Sequence, residues 1–437
     1  MNSDNLAGAA TRPAHNRWVQ LIIGIACMAL VANLQYAWTL FVNPIDAKYH
    51  WGRAAIQVSF SIFVLVETWF VPLEGWLVDQ FGPRFVIAFG AIAAGLGWVI
   101  NSQADTLPVL YIAAVLSGLG AGCVYGTCVG NALKWFPDKR GLAAGLTAAG
   151  FGAGAALTII PIASTIRSSG YEQAFLYFGI FQGIAIFILA MFMVRPVTPK
   201  GLKISPRLVM TKVDYSMGQM VRTPVFWVIY ILFVAVAAGG LMATAQLAPI
   251  AKDYGLAKLP ISFLGLTLPL LTLTLSIDSL ANGFTRPLCG FISDRLGREN
   301  TMLLVFIGEG LAMLGLLNFG HTAAGFLIFA PLIFLFWGEI FSIFPAICAD
   351  TFGTKYATGN AGALYTAKGT ASLLVPLTSV LSANGNWNRA YIFAAVLSIG
   401  AGLAAKFILA PMRKRSIENS EALARNGFRA VPAGKSV

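Results

Sequence analysis

Two basic residues, Arg286 and Lys368, lie in stretches of the chain that are otherwise apolar. Arg286 comes eight residues before Asp294, which is ~12 Å along a helix that rises 1.5 Å per residue. Lys368 lies ten residues into a predicted helix, ~15 Å from its start. Because the apolar core of a bilayer is ~30 Å thick, both charges are predicted near its middle. An unpaired basic side chain facing lipid there costs ~2.5–3.5 kcal/mol, so the pattern predicts an anion-binding site.

The helices that carry these charges also carry polar and aromatic side chains on the same face. The helix of Arg286 has a polar stripe composed of Asp278, Asn282, Thr285, Arg286, Cys289 and Ser293. Two further sets share a face by helical spacing, namely Tyr365, Lys368 and Ser372, and Trp337, Phe341 and Phe344. Such stripes are typical of helices that surround a polar cavity rather than lipid.

Four acidic residues inside apolar stretches offer a second interpretation of the two basic residues. Glu67, Asp278, Glu309 and Glu339 are each a candidate for a permanent ion pair with Arg286 or Lys368. Asp278 lies too far along the helix to contact Arg286 directly, and Glu339 is expected to point away from the face of Trp337. Because acidic side chains inside a membrane can carry protons, Glu67, Asp278 and Glu339 are also candidates for proton coupling.

The composition places this chain in a membrane. Of its 437 residues, 57% are hydrophobic and 11% charged, with a mean hydropathy of +0.74, whereas soluble domains are about 45–50% apolar and about 25% charged. The net charge of +12 is scattered over loops, which excludes a compact nucleic-acid-binding surface. Neither a metal-binding cysteine spacing, a phosphate-binding loop nor a catalytic nucleophile motif is present, so we predict neither an enzyme nor a cofactor.

Apolar runs predict an all-α membrane protein of twelve transmembrane helices, arranged as two six-helix repeats around a central cleft. The predicted spans are 18–42, 57–78, 85–102, 107–133, 141–166, 172–194, 224–250, 261–292, 301–320, 322–349, 358–384 and 388–411. The halves are 18–194 and 224–411, joined by a linker at 195–223 and flanked by tails at 1–17 and 412–437. Lys and Arg concentrate in alternate loops, which predicts that both tails and the linker are cytoplasmic.

A short motif occurs once in each half. The first copy, in residues 72–84, has the pattern Gly-x-x-x-Asp-x-x-Gly-x-Arg. Residues 287–298 repeat its two glycines and its aspartate at the matching position of the second half, with the arginine directly after the second glycine. Its residues are Gly75, Asp79, Gly82, Arg84, Gly290, Asp294, Gly297 and Arg298. This motif resembles the signature loop of the major facilitator superfamily. That resemblance implies a transporter whose halves move relative to one another.

Four further segments resemble the oxalate/formate antiporter family of that superfamily. They are 35–44, which begins Gln35-Tyr36, then 135–143, 282–287 and 367–372. The resemblance covers residues 18–411 and implies an exchanger of small carboxylates in which Arg286 and Lys368 neutralise the anion. It also implies an aromatic cage from Tyr36, Tyr125, Trp337 and Tyr365. Phe151 and Phe341 lie where tyrosines would fit an oxalate site, so the substrate is left open.

Three functions remain open from the sequence. The first is an exchanger of oxalate- or formate-like anions, working by alternating access. The second is a proton-coupled monocarboxylate symporter with Asp278 or Glu67 as the proton carrier. The third is a carboxylate sensor that does not transport. In each case we expect small carboxylates and the lipid bilayer as partners, no nucleic acid, and a monomer in a bacterial inner membrane.

Overall fold

The computed structural model describes residues 17–136, 140–195, 211, 213–263, 266–353, 356–382 and 386–425. We call 17–195 the N-terminal half and 213–425 the C-terminal half. The N-terminal half consists of helices α1 (Arg17–Val31), α2 (Asn33–Tyr36), α3 (Thr39–Tyr49), α4 (Arg53–Trp69), α5 (Val71–Phe81), α6 (Pro83–Asn101), α7 (Leu107–Trp135), α8 (Arg140–Ser169) and α9 (Tyr171–Met191).

The C-terminal half contains ten further helices and one β-hairpin in its described part. Its elements are α10 (Met217–Met220), α11 (Pro224–Asp253), β1 (Pro260–Phe263), β2 (Leu266–Pro269), α12 (Leu270–Leu296), α13 (Arg298–Phe319), α14 (Ala323–Trp337), α15 (Ile340–Phe352), α16 (Ala357–Ser372), α17 (Val375–Leu381), α18 (Asn388–Ala404) and α19 (Ala410–Arg425). A π-helical segment, Ala405–Leu409, joins α18 to α19. The final helix thus runs to residue 425, into the predicted tail.

The helices are suited to a bilayer. Within the described ranges, nine helical segments are long and apolar enough to cross a membrane; the total of twelve remains a prediction. Large apolar side chains also cover the outside of the bundle, among them Ile112, Leu157, Phe181, Ile188, Phe284, Phe319, Val396 and Phe407. Exposed apolar surface of this extent is unfavourable in water and favourable against lipid.

The predicted helix 261–292 begins later than the sequence suggested. The strands Pro260–Phe263 and Leu266–Pro269 pair antiparallel, with Pro260 opposite Pro269, and α12 begins only at Leu270. The prediction was wrong here because apolarity alone does not distinguish a strand from a helix. Pro269 lacks an N–H and disfavours helical backbone at Leu268, and prolines are tolerated at the ends of an edge strand.

Several of the spanning segments are broken. The first is divided at Ala32 and again at Ala37–Trp38, so that α2 is a single short turn between α1 and α3. Breaks also fall between α4 and α5, α14 and α15, and α16 and α17. Pro72 and Pro376 follow two of these breaks closely, and a proline removes the helical hydrogen bond to the residue four positions earlier. Discontinuous helices are a common feature around transporter sites.

The two halves meet most closely where α8 crosses α12. A Cβ atom on Gly283 would lie 2.6 Å from the Cβ of Ala153, and one on Gly152 would lie 2.8 Å from the Cα of Gly283. Such distances are too short for side chains, so both positions require glycine for this approach.

A second contact between the halves lies at the end of the bundle that holds the α3–α4 loop. Arg53 forms an ion pair with Asp253 at 2.7 Å, and the indole of Trp387 donates to the same carboxylate at 3.1 Å. Nearby, the backbone N–H of Ala248 donates to Thr39 Oγ1 at 2.8 Å. These contacts hold the two halves together at that end.

We predict that Gly283→Ala destabilises the protein, because the added methyl group has to separate α8 from α12. Overpacking of this kind costs about 1–3 kcal/mol. The matched control is Gly400→Ala, since a Cβ there meets nothing within 4 Å. The measurement is the melting temperature of each purified variant in the same detergent. Equal melting temperatures for the two variants would contradict the close approach.

Candidate functional site

Arg286 lies on α12 and reaches across to the N-terminal half. Its Nη1 donates to the carbonyl of Ala148 on α8 at 2.9 Å, and its Nη2 donates to Asn282 Oδ1 at 2.9 Å and to the Tyr36 hydroxyl at 3.4 Å. The guanidinium carbon lies 4.3 Å from the ring centroid of Phe341. Only 1% of Arg286 is exposed, so its charge is removed from solvent.

The groups that contact Arg286 are all neutral. Considering the described residues alone, no carboxylate oxygen lies within 4.0 Å of its guanidinium nitrogens, and Nε has no hydrogen-bond partner. Carbonyl oxygens and an aromatic face stabilise a cation only in part, by dipole and cation–π attraction. The charge of Arg286 therefore has no ion-pair partner among the described residues.

Lys368, on α16, has an acidic partner. Its Nζ lies 2.8 Å from Glu67 Oε2 on α4, and neither side chain is exposed. The same ammonium donates to Gln35 Oε1 at 2.8 Å and to the Tyr365 hydroxyl at 3.4 Å. Of the two basic residues, Lys368 thus forms the ion pair with a buried acid that the sequence offered as a second interpretation, and that acid is Glu67.

An aromatic cluster surrounds the two basic residues. Tyr125 stacks on Tyr365 with ring centroids 5.4 Å apart, and Phe151 meets the rings of Tyr36 and Tyr125 edge-on. Lys368 Nζ lies between 5.5 and 5.7 Å from the ring centroids of Tyr365, Phe341 and Phe151. The geometry therefore brings three of the predicted aromatic residues together with the predicted basic residues.

The fourth predicted aromatic residue, Trp337, packs behind Phe341 and not against the two basic residues. Its ring packs against Gly240 of α11 and meets Phe341 edge-on at 5.4 Å. Among the described residues, Phe341 and Phe151 form cation–π contacts with the basic side chains, whereas Trp337 does not. The predicted aromatic cage did not include Phe341 and Phe151, although Phe341 shares a helical face with Trp337.

The remaining acidic residues are buried away from direct contact with the two basic residues. Asp278 is 2% exposed, and its oxygens have no hydrogen-bond partner in the described part of the chain. Glu309, on α13, lies beside Gly239 and Ser398. Glu339 lies in the break between α14 and α15, where the charge of Arg286 acts on it without an ion-pair contact.

The repeated motif adopts the same backbone conformation in both halves where it is described. Gly82 and Gly297 have φ angles of +85° and +86°, and each is followed directly by a helix. Arg84 donates to the carbonyl of Met193 at 3.3 Å, and Arg298 pairs with Asp350 at 3.0 Å. Gly290 lies within α12, and a Cβ atom added to it would be 3.9 Å from the Cβ of Ser342. The surroundings of Gly75 and the side chains of Asp79 and Asp294 are outside the described structure.

Comparison with known proteins supports this architecture. The profile of the Major Facilitator Superfamily matches residues 21–376 and, in a second match, 264–435. The oxalate:formate antiporter of Oxalobacter formigenes is 36% identical over 93% of this chain and 94% of its own length. The uncharacterized MFS-type transporter YhjX of Escherichia coli is 26% identical over 82% of this chain and 86% of its own. Human monocarboxylate transporter 11 is 25% identical over 62% of this chain and 56% of its own.

The matches extend over nearly the whole chain, and the described helices are those of an integral membrane protein. The chain is therefore a transporter rather than an enzyme, and it belongs to the Major Facilitator Superfamily.

Proposed function

We propose that this protein is a secondary transporter that exchanges small, oxalate- or formate-like carboxylate anions by alternating access. In this proposal twelve spans form two six-helix halves, both termini are cytoplasmic, and the monomer is the functional unit in a bacterial inner membrane. The substrate binds between the halves. Arg286 binds it directly, and Lys368, Gln35 and the aromatic cluster of Tyr36, Tyr125 and Tyr365 line the site, with Trp337 as support.

The observation that carries the proposal is the environment of Arg286. A fully buried guanidinium lies between the halves, and the described groups that contact it are neutral. A carboxylate matches two guanidinium N–H groups at once and supplies the missing negative charge. An anion is thus the ligand that this site is best able to stabilise.

The hydrogen bonds of Arg286 also suggest how binding is coupled to movement. Arg286 belongs to the C-terminal half, whereas Ala148 and Tyr36 belong to the N-terminal half. A carboxylate that accepts from the guanidinium competes with these two acceptors. Binding therefore weakens a link between the halves, and the charge-compensated site changes conformation more readily than the unoccupied one. Such coupling favours obligatory exchange.

The relatives add support at the level of substrate class. The relative from Oxalobacter formigenes is named an oxalate:formate antiporter, and the human relative a monocarboxylate transporter. Both names refer to carriers of small carboxylates.

A second candidate function is proton-coupled symport of a monocarboxylate. The observation in its favour is Asp278, a buried carboxyl whose oxygens have no hydrogen-bond partner among the described residues. A carboxyl in such surroundings is costly to ionise, and intramembrane acids of this kind often carry protons.

We predict that Arg286→Gln abolishes carboxylate exchange in proteoliposomes. Removing one partner of a buried charged contact costs about 2–5 kcal/mol, a loss on the order of 30-fold to several thousand-fold. Arg286→Lys retains the charge but not the two-pronged geometry, so an intermediate rate is expected. The control is Arg389→Gln, an exposed arginine at the start of α18. Near-normal exchange by Arg286→Gln would remove this residue from the mechanism.

We further predict that labelled carboxylate enters proteoliposomes only when they are preloaded with carboxylate, and that an inward proton gradient does not replace the preload. Asp278→Asn should then retain exchange, because Asp278 contacts neither basic residue. Uptake driven by the proton gradient into empty vesicles, lost in Asp278→Asn, would instead establish the symport mechanism.

A further inference from the structure

The Glu67 carboxylate is the acidic group that contacts Lys368. It approaches Lys368 Nζ at 2.8 Å from the N-terminal half, and its Oε1 has no hydrogen-bond partner among the described residues. Gln35 provides a second acceptor for the same ammonium at 2.8 Å. The charge of Lys368 is thus already compensated by the protein.

The charges in contact at the site therefore leave a single uncompensated cation. Arg286 and Lys368 each contribute one positive charge, and Glu67 contributes one negative charge. An anion with one negative charge makes this cluster neutral, whereas an anion with two leaves an excess negative charge. In a closed, apolar interior an excess charge is strongly unfavourable.

The other acidic residues near the cluster do not replace Glu67. The charge of Arg286 acts on Glu339 without an ion-pair contact, and the charge of Glu67 acts on Glu74 of α5, which does not contact Lys368 in the described structure. Asp278 forms no contact with either basic residue. Tyr36, Tyr125 and Tyr365, which also face the cluster, are neutral hydroxyl groups.

We propose that Glu67 is a built-in counter-ion that determines the charge of the transported anion, so that the protein carries monocarboxylates in preference to dicarboxylates. This inference rests on the proposed function, and it narrows the substrate class. Glu67 is then a specificity-determining residue: it occupies Lys368 and leaves Arg286 as the binding group for one carboxylate.

The proposal predicts different anion preferences for the single and double variants. Glu67→Gln preserves the size of the side chain and an acceptor for Lys368 but frees the second positive charge, which favours a dicarboxylate. Lys368→Gln leaves the Glu67 charge without its cation, which opposes any anion. The double variant Glu67→Gln with Lys368→Gln restores a single positive charge, that of Arg286.

The test uses the purified full-length protein in proteoliposomes, at one pH at which all probes are fully ionised. Formate and acetate serve as monoanions, and oxalate and malonate as dianions. The quantity measured is the concentration of each probe that half-inhibits counterflow of a labelled carboxylate. Glu309→Gln is the matched control, because it removes a buried acid of α13 that contacts neither basic residue.

We expect the wild type and Glu309→Gln to bind monoanions at least about tenfold more tightly than dianions, and Glu67→Gln to reverse this order. Lys368→Gln should lose exchange, and the double variant should regain it with monoanion preference. A wild type that prefers dianions, or a Glu67→Gln variant with the wild-type order, would overturn the proposal. If Glu67→Gln does not fold, the proposal is decided by the order of monoanion and dianion binding in the wild type and by the exchange activity of the double variant. Absence of exchange with every probe in the wild type would instead contradict the proposed function.

Discussion

The compensation of positive charge in a closed apolar interior is the constraint on which the rest of this structure depends. Arg286 and Lys368 lie together between the two halves, with 1% and 0% of their surfaces exposed. A buried cation is tolerated only with a counter-charge or with many aligned dipoles. The protein meets this requirement in two different ways: Glu67 neutralises Lys368, whereas carbonyl, amide and hydroxyl groups and the ring of Phe341 surround Arg286. This difference is the physical basis of the function proposed.

The surrounding helices explain how these groups come together. Gln35 and Tyr36 of α2 contact residues of the opposite half, and Phe341, one turn after Trp337, lies beside Arg286. The close approach of α8 to α12 at Gly152 and Gly283 brings the Ala148 carbonyl within reach of the guanidinium. The charged cluster thus forms at the contact between the halves, where a change in one half is transmitted directly to the other.

Much of this arrangement is predictable from the sequence, because apolarity, isolated charges and repeated motifs are local properties. The transporter family followed from them, whereas the membrane depth of Arg286 and Lys368 remains a prediction. The pairing of Lys368 with Glu67 did not, since four acidic residues were available and only helix packing selects one. The strand pair Pro260–Phe263 and Leu266–Pro269 was missed because apolarity alone does not distinguish a strand from a helix. Phe341 was placed on the face of Trp337, and both Phe151 and Phe341 were noted as replacements for tyrosines, but their contacts with the charges depend on the tertiary structure.

The most direct measurement is an experimental structure of the protein with a small carboxylate bound. We expect the carboxylate between the halves, within hydrogen-bond distance of the Arg286 guanidinium, in place of the Ala148 carbonyl. Glu67 should remain beside Lys368. A structure in which Arg286 is paired with Glu339 or another acid of the protein, with the carboxylate bound elsewhere, would contradict the account.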